Sequence, residues 1–270
     1  MDKNSFINDC RAIRRQSPLV HNITNYVAMP LAANALLAIG ASPLMSFCPE
    51  EMEEIVAISS AVAVNIGCID NQQIKAMHIA AAAAKSLGKP WILDPVGAGA
   101  STLRTKTCLD LIEKYHPTII RGNASEIKCL AGGSVKPKGV DSSVDVSEVL
   151  SFAKSLAKTS GAVVSVSGST DFITDGERVE TVGNGDAAMT RITAMGCAAT
   201  SITAAFAAVQ DFPFAAAAEA MVLMGVAGER AARKSRGTGS MAVAFLDELS
   251  TFEPEDYANS IIQTHLDILL

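Results

Sequence analysis

Charged side chains are scarce in this sequence, and their balance is negative. Asp, Glu, Lys and Arg make up 19% of the 270 residues, and the formal net charge is -6. An acidic chain repels the phosphates of nucleic acid, so we do not expect nucleic acid as a partner. Hydrophobic residues make up 49% of the chain. We therefore expect much of its surface to be buried, in part between subunits.

The cysteines lack the spacing of a disulfide framework or of a CxxC metal motif. The six cysteines stand at positions 10, 48, 68, 108, 129 and 197. We interpret them as reduced thiols of a cytoplasmic protein. Residues 1–16, MDKNSFINDCRAIRRQ, lack the character of a signal peptide and predict a short amphipathic helix.

The sequence also lacks an uninterrupted apolar run that could span a membrane. Residues 17–49 and 192–210 contain no Asp, Glu, Lys or Arg. However, Asn, Pro and Gly interrupt the first run, and Ala, Ser and Thr dominate the second. We predict no membrane span and interpret both runs as buried helices, the first of them close to a ligand pocket.

Short apolar runs alternate with Ala-rich helical patterns. The apolar runs, which predict strands covered on both faces, lie at 42–47, 61–67, 90–95, 118–123 and 162–168. The helical patterns lie near 26–39, 50–58, 71–88, 102–115 and 145–159. This alternation predicts an α/β fold with a mostly parallel sheet. Turn signals in 171–193 predict antiparallel strands at one edge, and the tail from about 196 to 263 predicts helix. No linker divides the chain, so we predict one domain, residues 1–270.

Ligands bind at the carboxyl ends of the strands in such sheets. The predicted strand ends that carry polar residues or glycines are 65–67, 94–97, 121–123 and 167–168, and a predicted helix start at 193–197 joins them. Because these ends meet at one edge of a parallel sheet, we expect the functional site there.

Two of these ends offer carboxylates. Asp94 precedes a glycine-rich loop in DPVGAGA (94–100) and can serve a site or cap the next helix. The loop is a weak match to a dinucleotide fingerprint, because its glycine spacing is wrong and it follows a late strand. In RGNASE (121–126), Glu126 can help to hold Mg²⁺ through water, or close a capping box with Asn123. Arg121 can contact a polyphosphate or form a surface ion pair.

Cys197 stands at the predicted helix start in TAMGC (193–197). Unpaired N–H groups at a helix start suit an anion and lower the pKa of a thiol, although a free cysteine can equally be a packing residue. A second motif, VGNGDA (182–187), contains the Gly-x-Gly-Asp of a sugar-kinase turn. We reject that interpretation, because Asn-Gly at 184–185 between apolar runs favours a hairpin turn.

Taken together, six segments resemble the hydroxyethylthiazole kinase family of the ribokinase-like superfamily. They are SPLVHNITN (17–25), GASPLM (40–45), NIG (65–67), ILDPVGAGA (92–100), IRGNASEI (120–127) and TAMGC (193–197). The resemblance implies a three-layer sandwich around a mostly parallel central sheet, with no separate lid domain. It also implies that ATP phosphorylates the alcohol of 4-methyl-5-(2-hydroxyethyl)thiazole in thiamine salvage. The implied assembly is a homotrimer with active sites shared between subunits.

On the substrate side, the resemblance implies that Met45 lies at the thiazole, although the residue alone fits a core position as well. It implies that Ala194 contacts substrate where the family usually has Gly, and that Asn25 lines the pocket. Cys197 is expected to face the reacting hydroxyl. The Cβ of Ala194 and the bulky Met195 are expected to narrow the turn before the helix.

On the nucleotide side, the resemblance implies that Arg121 and Ser167 contact ATP, with Ser167 standing where the family usually has Thr. It also implies that Asp94 and Glu126 lie at a magnesium site. The same residues also allow two other interpretations of the function of this chain. The chain can be another ribokinase-like kinase, such as a hydroxymethylpyrimidine or pyridoxal kinase, or an ATP-dependent hydrate dehydratase. It can also be a catalytically weak protein that binds a ligand.

Overall fold

The described part of the chain, residues 2–133 and 146–262, folds around an eight-stranded sheet in this computed structural model. The strands are β1 Leu19–Ile23, β2 Ser42–Met45, β3 Ala61–Asn65, β4 Trp91–Asp94, β5 Ile119–Asn123, β6 Val163–Ser167, β7 Asp171–Thr174 and β8 Val179–Val182. Their order is β2-β1-β3-β4-β5-β6-β7-β8. Neighbours from β2 to β6 are parallel, and β7 and β8 are antiparallel, as the sequence predicted.

Helices cover both faces of the sheet. They are α1 Lys3–Gln16, α2 Met29–Ile39, α3 Met52–Ile58, α4 Asn71–Ser86, α5 Thr102–Tyr115, α6 Ala124–Leu130, α7 Val146–Ser160, α8 Met195–Ala207, α9 Pro213–Lys234, α10 Thr238–Thr251 and α11 Pro254–Asn259. One hydrophobic core includes α1, α2 and α8 to α11, and a second includes α3 to α7. This confirms the three-layer prediction. No helix in the described ranges has the length and apolarity needed to cross a bilayer.

The central strands are buried over their whole length. Every residue of β3 and of β4 is buried, because helices cover both faces of the sheet. A strand in this position needs apolar side chains on both faces, which explains the continuous apolar runs in the sequence. Full burial of each large aliphatic side chain stabilises the fold by roughly 1.5–3 kcal/mol.

The interpretation of residues 17–49 as a buried helix is wrong in part. The segment contains β1 and β2, with α2 between them. His21 and Asn22 of β1 are fully buried, and His21 Nε2 lies 2.9 Å from the carbonyl oxygen of Ser46. Polar residues at these positions interrupted the apolar pattern, so the strand was not recognised in the sequence.

The two predicted turns near the edge strands have different outcomes. Asp-Gly at 175–176 connects β7 to β8, as predicted. Asn184 instead lies buried in a loop, where its amide donates to Glu229 and its oxygen accepts from the backbone N–H of Ile262. The chain then enters a 3-10 helix, Ala187–Arg191, rather than another strand. The hairpin prediction at 184–185 is therefore wrong.

The strand order reverses at β1, which lies between β2 and β3 in the sheet. The chain runs from β1 outward to β2 and then returns to pair β3 on the other side of β1. In open α/β sheets such a reversal leaves a crevice beyond the carboxyl ends of the strands. Helix α8 packs over β1, β3 and β4. Its residue Cys197 accepts a hydrogen bond from Asn25, which follows the carboxyl end of β1, so the first turn of α8 lies at this crevice.

Candidate active site

Polar side chains from neighbouring strands meet beneath the first turn of α8. Asn65 ends β3 and lies opposite Asp94, which ends β4. Arg121 and Asn123 of β5 lie opposite Ser165 and Ser167 of β6. The predicted convergence of strand ends is therefore present.

Asp94 lies at the centre of this group and is almost fully buried. Its Oδ2 accepts hydrogen bonds from Asn65 Nδ2 at 2.6 Å and from Thr200 Oγ1 at 2.8 Å. Burial raises the pKa of Asp94 to about 6, although the positive charge of Arg121 opposes the rise. Ser101, and not Asp94, caps the following helix α5. The capping alternative for Asp94 is therefore wrong.

Glu126 joins the glycine-rich loop after β4 to the start of α6. Its Oε1 accepts from the backbone N–H of Gly97 and its Oε2 from that of Asn123, both at 2.9 Å. Asn123 in turn accepts from the Glu126 N–H, so the two residues form the capping box that the sequence allowed. Burial raises the pKa of Glu126, and the two backbone N–H groups oppose that rise.

The donor set of this site fits a hydrated Mg²⁺ ion. In the described ranges, no cluster of three or more His, Cys, Asp or Glu side chains could enclose a metal. Mg²⁺ does not need such a cage, because it keeps several waters and is usually held by one or two carboxylates and substrate phosphates. No hydrogen bond from a described residue reaches Asp94 Oδ1. That oxygen therefore remains available to a cation.

Arg121 brings a buried positive charge to the same place. Its Nη1 donates to the backbone oxygen of Gly196 at 3.0 Å, and its Nε has no hydrogen-bond partner in the described structure. The side chain is buried, so the alternative of a surface ion pair is wrong. A buried guanidinium with an unused donor beside a helix start can bind a polyphosphate.

Ala194 and Met195 were both expected to narrow the turn before α8, and the structure differs from this expectation at Met195. Ala194 caps the helix with φ 67°, in the left-handed region that favours glycine. Met195 does not narrow the turn, because its side chain is buried in the hydrophobic core. The unfavourable backbone conformation in this turn is therefore that of Ala194.

Cys197 lies in the first turn of α8, two residues after the first helical residue Met195. Its Sγ accepts a hydrogen bond from Asn25 Nδ2 at 3.3 Å. Burial, and next the charge of Asp94, raise the pKa of the Cys197 thiol to about 11. The prediction that the helix start lowers this pKa is wrong. Cys197 is thus a protonated thiol at neutral pH, half-buried beside the polar cluster.

Met45 and Ser167 lie on the two flanks of the cluster. Met45 is half-buried at the end of the edge strand β2, opposite Asn22 of β1. Ser167 is half-buried at the end of β6, and its Oγ donates to the backbone oxygen of Gly122 at 3.4 Å. Both are at the predicted edge of the sheet, but neither hydrogen-bonds to Asp94, Arg121 or Cys197 in the described structure.

Two residues of the site, Thr200 and Arg104, were not predicted, and a third, Asn65, was predicted only as one of the strand ends at the site. Asn65 and Thr200 bind Asp94 directly. Arg104 donates from its guanidinium to the backbone oxygens of Ile66, Gly67 and Val96, so it fixes the loops after β3 and β4 to each other. Asn65 had a signal in the sequence, because it ends an apolar run, whereas a threonine and an arginine within helices carried none.

Comparisons with known proteins agree with this arrangement. The model of the hydroxyethylthiazole kinase family matches residues 10–255. A hydroxyethylthiazole kinase of Brachyspira hyodysenteriae is 51% identical over 96% of this chain and 98% of that relative. One from Nitratidesulfovibrio vulgaris is 47% identical over 90% of this chain and 91% of the relative.

Solved structures support the same assignment. The structure of a hydroxyethylthiazole kinase protein from Pyrococcus horikoshii has a TM-score of 0.88 and 35% identity, covering 97% of this chain and 99% of that one. A pyridoxal kinase from Staphylococcus aureus, at 13% identity and a TM-score of 0.62 over 79% of this chain and 88% of that one, shares the fold. The described residues thus have the ribokinase-like sandwich without a separate lid domain, and the chain belongs to the hydroxyethylthiazole kinase family.

Proposed function

We propose that this chain is an ATP-dependent kinase that phosphorylates the hydroxyl of 4-methyl-5-(2-hydroxyethyl)thiazole in thiamine salvage. The names of its relatives support the substrate. The observation that carries the chemistry is the buried guanidinium of Arg121 beside the buried carboxylates of Asp94 and Glu126. A polyphosphate and its magnesium ion need these opposite charges in one site. In this proposal residues 1–270 form one kinase domain.

Arg121 binds the phosphates of ATP, and Ser167 on the next strand contributes a hydroxyl. The transition state of phosphoryl transfer is loose, so positioning and neutralisation of charge provide most of the rate. The N–H groups of the first turn of α8 face the transferred phosphoryl group, because the first four N–H groups of a helix have no partner within it.

Asp94 and Glu126 are the residues that would hold Mg²⁺, Asp94 through its available Oδ1 and Glu126 through water. When bound, the ion neutralises negative charge on the phosphates. Glu126 also keeps the loop after β4 in position through Gly97 and Asn123. The carboxylate therefore serves the site even while its oxygens accept backbone hydrogen bonds.

Cys197 lies beside the reacting hydroxyl in this proposal and provides no strong base. With its pKa raised to about 11 by burial, its thiol keeps its proton at neutral pH. Asn25 holds the sulfur in place. The substrate hydroxyl therefore keeps its proton until its oxygen bonds to phosphorus, as a loose transition state allows, and the proton then passes to an oxygen of the transferred phosphoryl group. Met45 provides an apolar contact for the thiazole ring at the end of β2, and Ala194 lies against the substrate.

We also propose a homotrimer whose active sites are shared between subunits. Three apolar side chains of the segment after β1 are more than half exposed: Tyr26 at 57%, Val27 at 60% and Leu37 at 59%. Tyr26 and Val27 are adjacent in the chain, and exposed apolar groups of this kind support contact with another chain. Light scattering that gives the mass of one chain at micromolar concentration contradicts this assembly. A cytoplasmic location is supported by six cysteines that are all free.

The function is tested by steady-state kinetics with ATP and magnesium. The acceptors are the thiazole alcohol, hydroxymethylpyrimidine and pyridoxal, and release of ADP is measured. We expect the highest kcat/KM with the thiazole alcohol. A higher value for either of the other acceptors contradicts the proposed substrate, and binding of the thiazole without turnover indicates a ligand-binding protein.

A matched pair of variants connects that activity to the proposed site. Arg121→Gln removes the buried guanidinium, so we expect a rise in the KM for ATP and a fall in kcat. Arg178→Gln changes an arginine with a 70% exposed side chain on the β7–β8 turn and should leave both constants unchanged. Equal kinetics for the two variants would contradict phosphate binding by Arg121.

A further inference from the structure

Asn65 occupies a central position in the hydrogen bonds of the candidate active site. It is buried at the end of β3, with 2% of its surface exposed. Its Oδ1 accepts from Gly67 N at 2.9 Å and from Asn25 Nδ2 at 3.0 Å, while its Nδ2 donates to Asp94 Oδ2 at 2.6 Å. One amide thus connects the loop after β1, the end of β3 and the end of β4.

The surroundings allow only one orientation of this amide. A backbone N–H can only donate, so the oxygen of Asn65 must face Gly67. An ionised carboxylate can only accept, so the NH₂ group must face Asp94. The oxygen and the NH₂ group of Asn65 cannot exchange places. A rotation of 180° would place the NH₂ group against the N–H of Gly67 and the oxygen against the carboxylate of Asp94.

Asn65 and the backbone N–H of Ala28 together determine the orientation of Asn25. Because Asn65 presents its oxygen, Asn25 must present its NH₂ group. The Ala28 N–H, which donates to Asn25 Oδ1 at 3.0 Å, imposes the same orientation from the other end. The NH₂ group of Asn25 therefore also faces Cys197 and donates to its sulfur at 3.3 Å. The single S–H hydrogen of Cys197 is then directed away from Asn25.

We propose that Asn65 is a positioning residue for phosphoryl transfer: its amide fixes Asn25, and through Asn25 the thiol of Cys197, while it holds Asp94 on the opposite side. This inference rests on the proposed kinase function. Asn65 thus fixes Asn25 and Cys197, which face the thiazole alcohol, relative to Asp94, which faces the phosphates. Its own side chain contacts neither of the two substrates. A misplacement of about 1 Å between reacting groups can cost about 10²-fold in rate, so the effect should appear in kcat.

Asn22 provides a matched control on the adjacent strand β1. It is also a fully buried asparagine, and it also bonds to α8, since its Oδ1 accepts from Ser201 Oγ at 2.7 Å. Its Nδ2 donates to the backbone oxygen of Val20. It reaches neither Asp94 nor Cys197 in the described structure, so its replacement tests the cost of losing a buried amide alone.

The experiment compares Asn65→Ala with Asn22→Ala. We expect Asn65→Ala to lower kcat about 10²-fold with KM for both substrates changed less than about threefold, and Asn22→Ala to change kcat less than about threefold. Both variants should unfold at lower temperature than the wild type by similar amounts. Equal loss of kcat in the two variants overturns the proposal, because a purely structural role predicts that result.

Crystal structures of both variants give a reading that does not depend on activity. In Asn65→Ala the Nδ2 of Asn25 should move away from Cys197 Sγ, because Ala28 holds only the oxygen of that amide, whereas in Asn22→Ala the contact should persist. If Asn25 has the same position in Asn65→Ala as in the wild type, the proposal is overturned.

If Asn65→Ala does not fold, Asn65→Ser replaces it, because its hydroxyl can still bind the Gly67 N–H but is too short to reach Asp94. A wild type without thiazole kinase activity contradicts the proposed function instead, and the crystal structures still decide the role of Asn65.

Discussion

Asn25 Nδ2 donates a hydrogen bond to Cys197 Sγ at 3.3 Å, across 172 residues of sequence. The contact joins the loop after β1 to the first turn of α8. Mainly because of burial, the pKa of the Cys197 thiol is raised to about 11. The thiol therefore keeps its proton at neutral pH, and it acts neither as a nucleophile nor as a general base. The predictions about Cys197 follow from this relationship.

Cys197→Ser should retain measurable turnover, because no covalent step through the thiol is proposed. Cys197→Asp should raise kcat about tenfold, since an ionised carboxylate can accept the proton of the substrate hydroxyl and Asn25 can donate to it. The measurement is kcat of the three proteins at saturating ATP and thiazole alcohol. Loss of turnover in Cys197→Ser together with a trapped phosphocysteine contradicts this mechanism.

Ala194→Gly should stabilise the protein. Alanine at φ 67° bears a left-handed strain of about 1–2 kcal/mol, and the greater freedom of glycine in the unfolded chain offsets about half of the gain. We expect the free energy of unfolding to rise by about 0.5–1 kcal/mol. Ala57→Gly, at an exposed position of α3, is the control and should lower it by about 1 kcal/mol. Urea denaturation measures both, and a loss of stability in Ala194→Gly contradicts the strain.

Glu126→Gln should lower magnesium-dependent turnover far more than binding of the thiazole alcohol. The amide preserves the shape but removes the charge. Only its oxygen can accept, so it can satisfy either the Gly97 N–H or the Asn123 N–H but not both. Turnover across a magnesium titration and calorimetry of thiazole binding separate the two effects. Glu148→Gln, which alters a partly exposed ion pair with Lys128, is the control. An unchanged magnesium titration in Glu126→Gln would remove this residue from the metal site.

Stability should fall as pH rises towards 9, because of a carboxyl group far from the active site. Glu219 of α9 is fully buried, with Ser5 donating to its Oε1 at 2.7 Å. Burial, and then the nearby Asp9, raise the pKa of Glu219 to about 9. The folded state therefore keeps a proton that the unfolded state has already lost, so the slope is negative and reaches about 1.4 kcal/mol per pH unit at most.

Glu219→Gln should remove most of this dependence, because the amide is neutral at every pH. Urea unfolding of the wild type and the variant at about pH 6 and about pH 8 measures the difference. Glu255→Gln changes a half-exposed glutamate that pairs with Arg11 at the surface, and it should leave the slope as in the wild type. Parallel pH curves for the wild type and Glu219→Gln would show that Glu219 is ionised in the folded protein.

The sequence by itself determined the layers of this fold and the edge at which the site lies. Strands buried on both faces need apolar side chains at every position, so β3 and β4 were visible as continuous runs. The capping box of α6 was visible as well, because Asn123 and Glu126 interact within one helical turn. Both signals are local, since the residues that cause them are neighbours in the chain.

Only the tertiary structure decided which polar groups meet and what their surroundings do to them. Strand β1 was missed because His21 and Asn22 are buried polar residues whose partners lie on other elements. The pKa of Cys197 was predicted in the wrong direction, since burial of the thiol and the charge of Asp94 raise it. Asn65 and Asp94 are 29 residues apart, and their hydrogen bond exists only because parallel pairing of β3 and β4 aligns the two strand ends. Burial and long-range pairing depend on the packed chain, so no short stretch of sequence contains them.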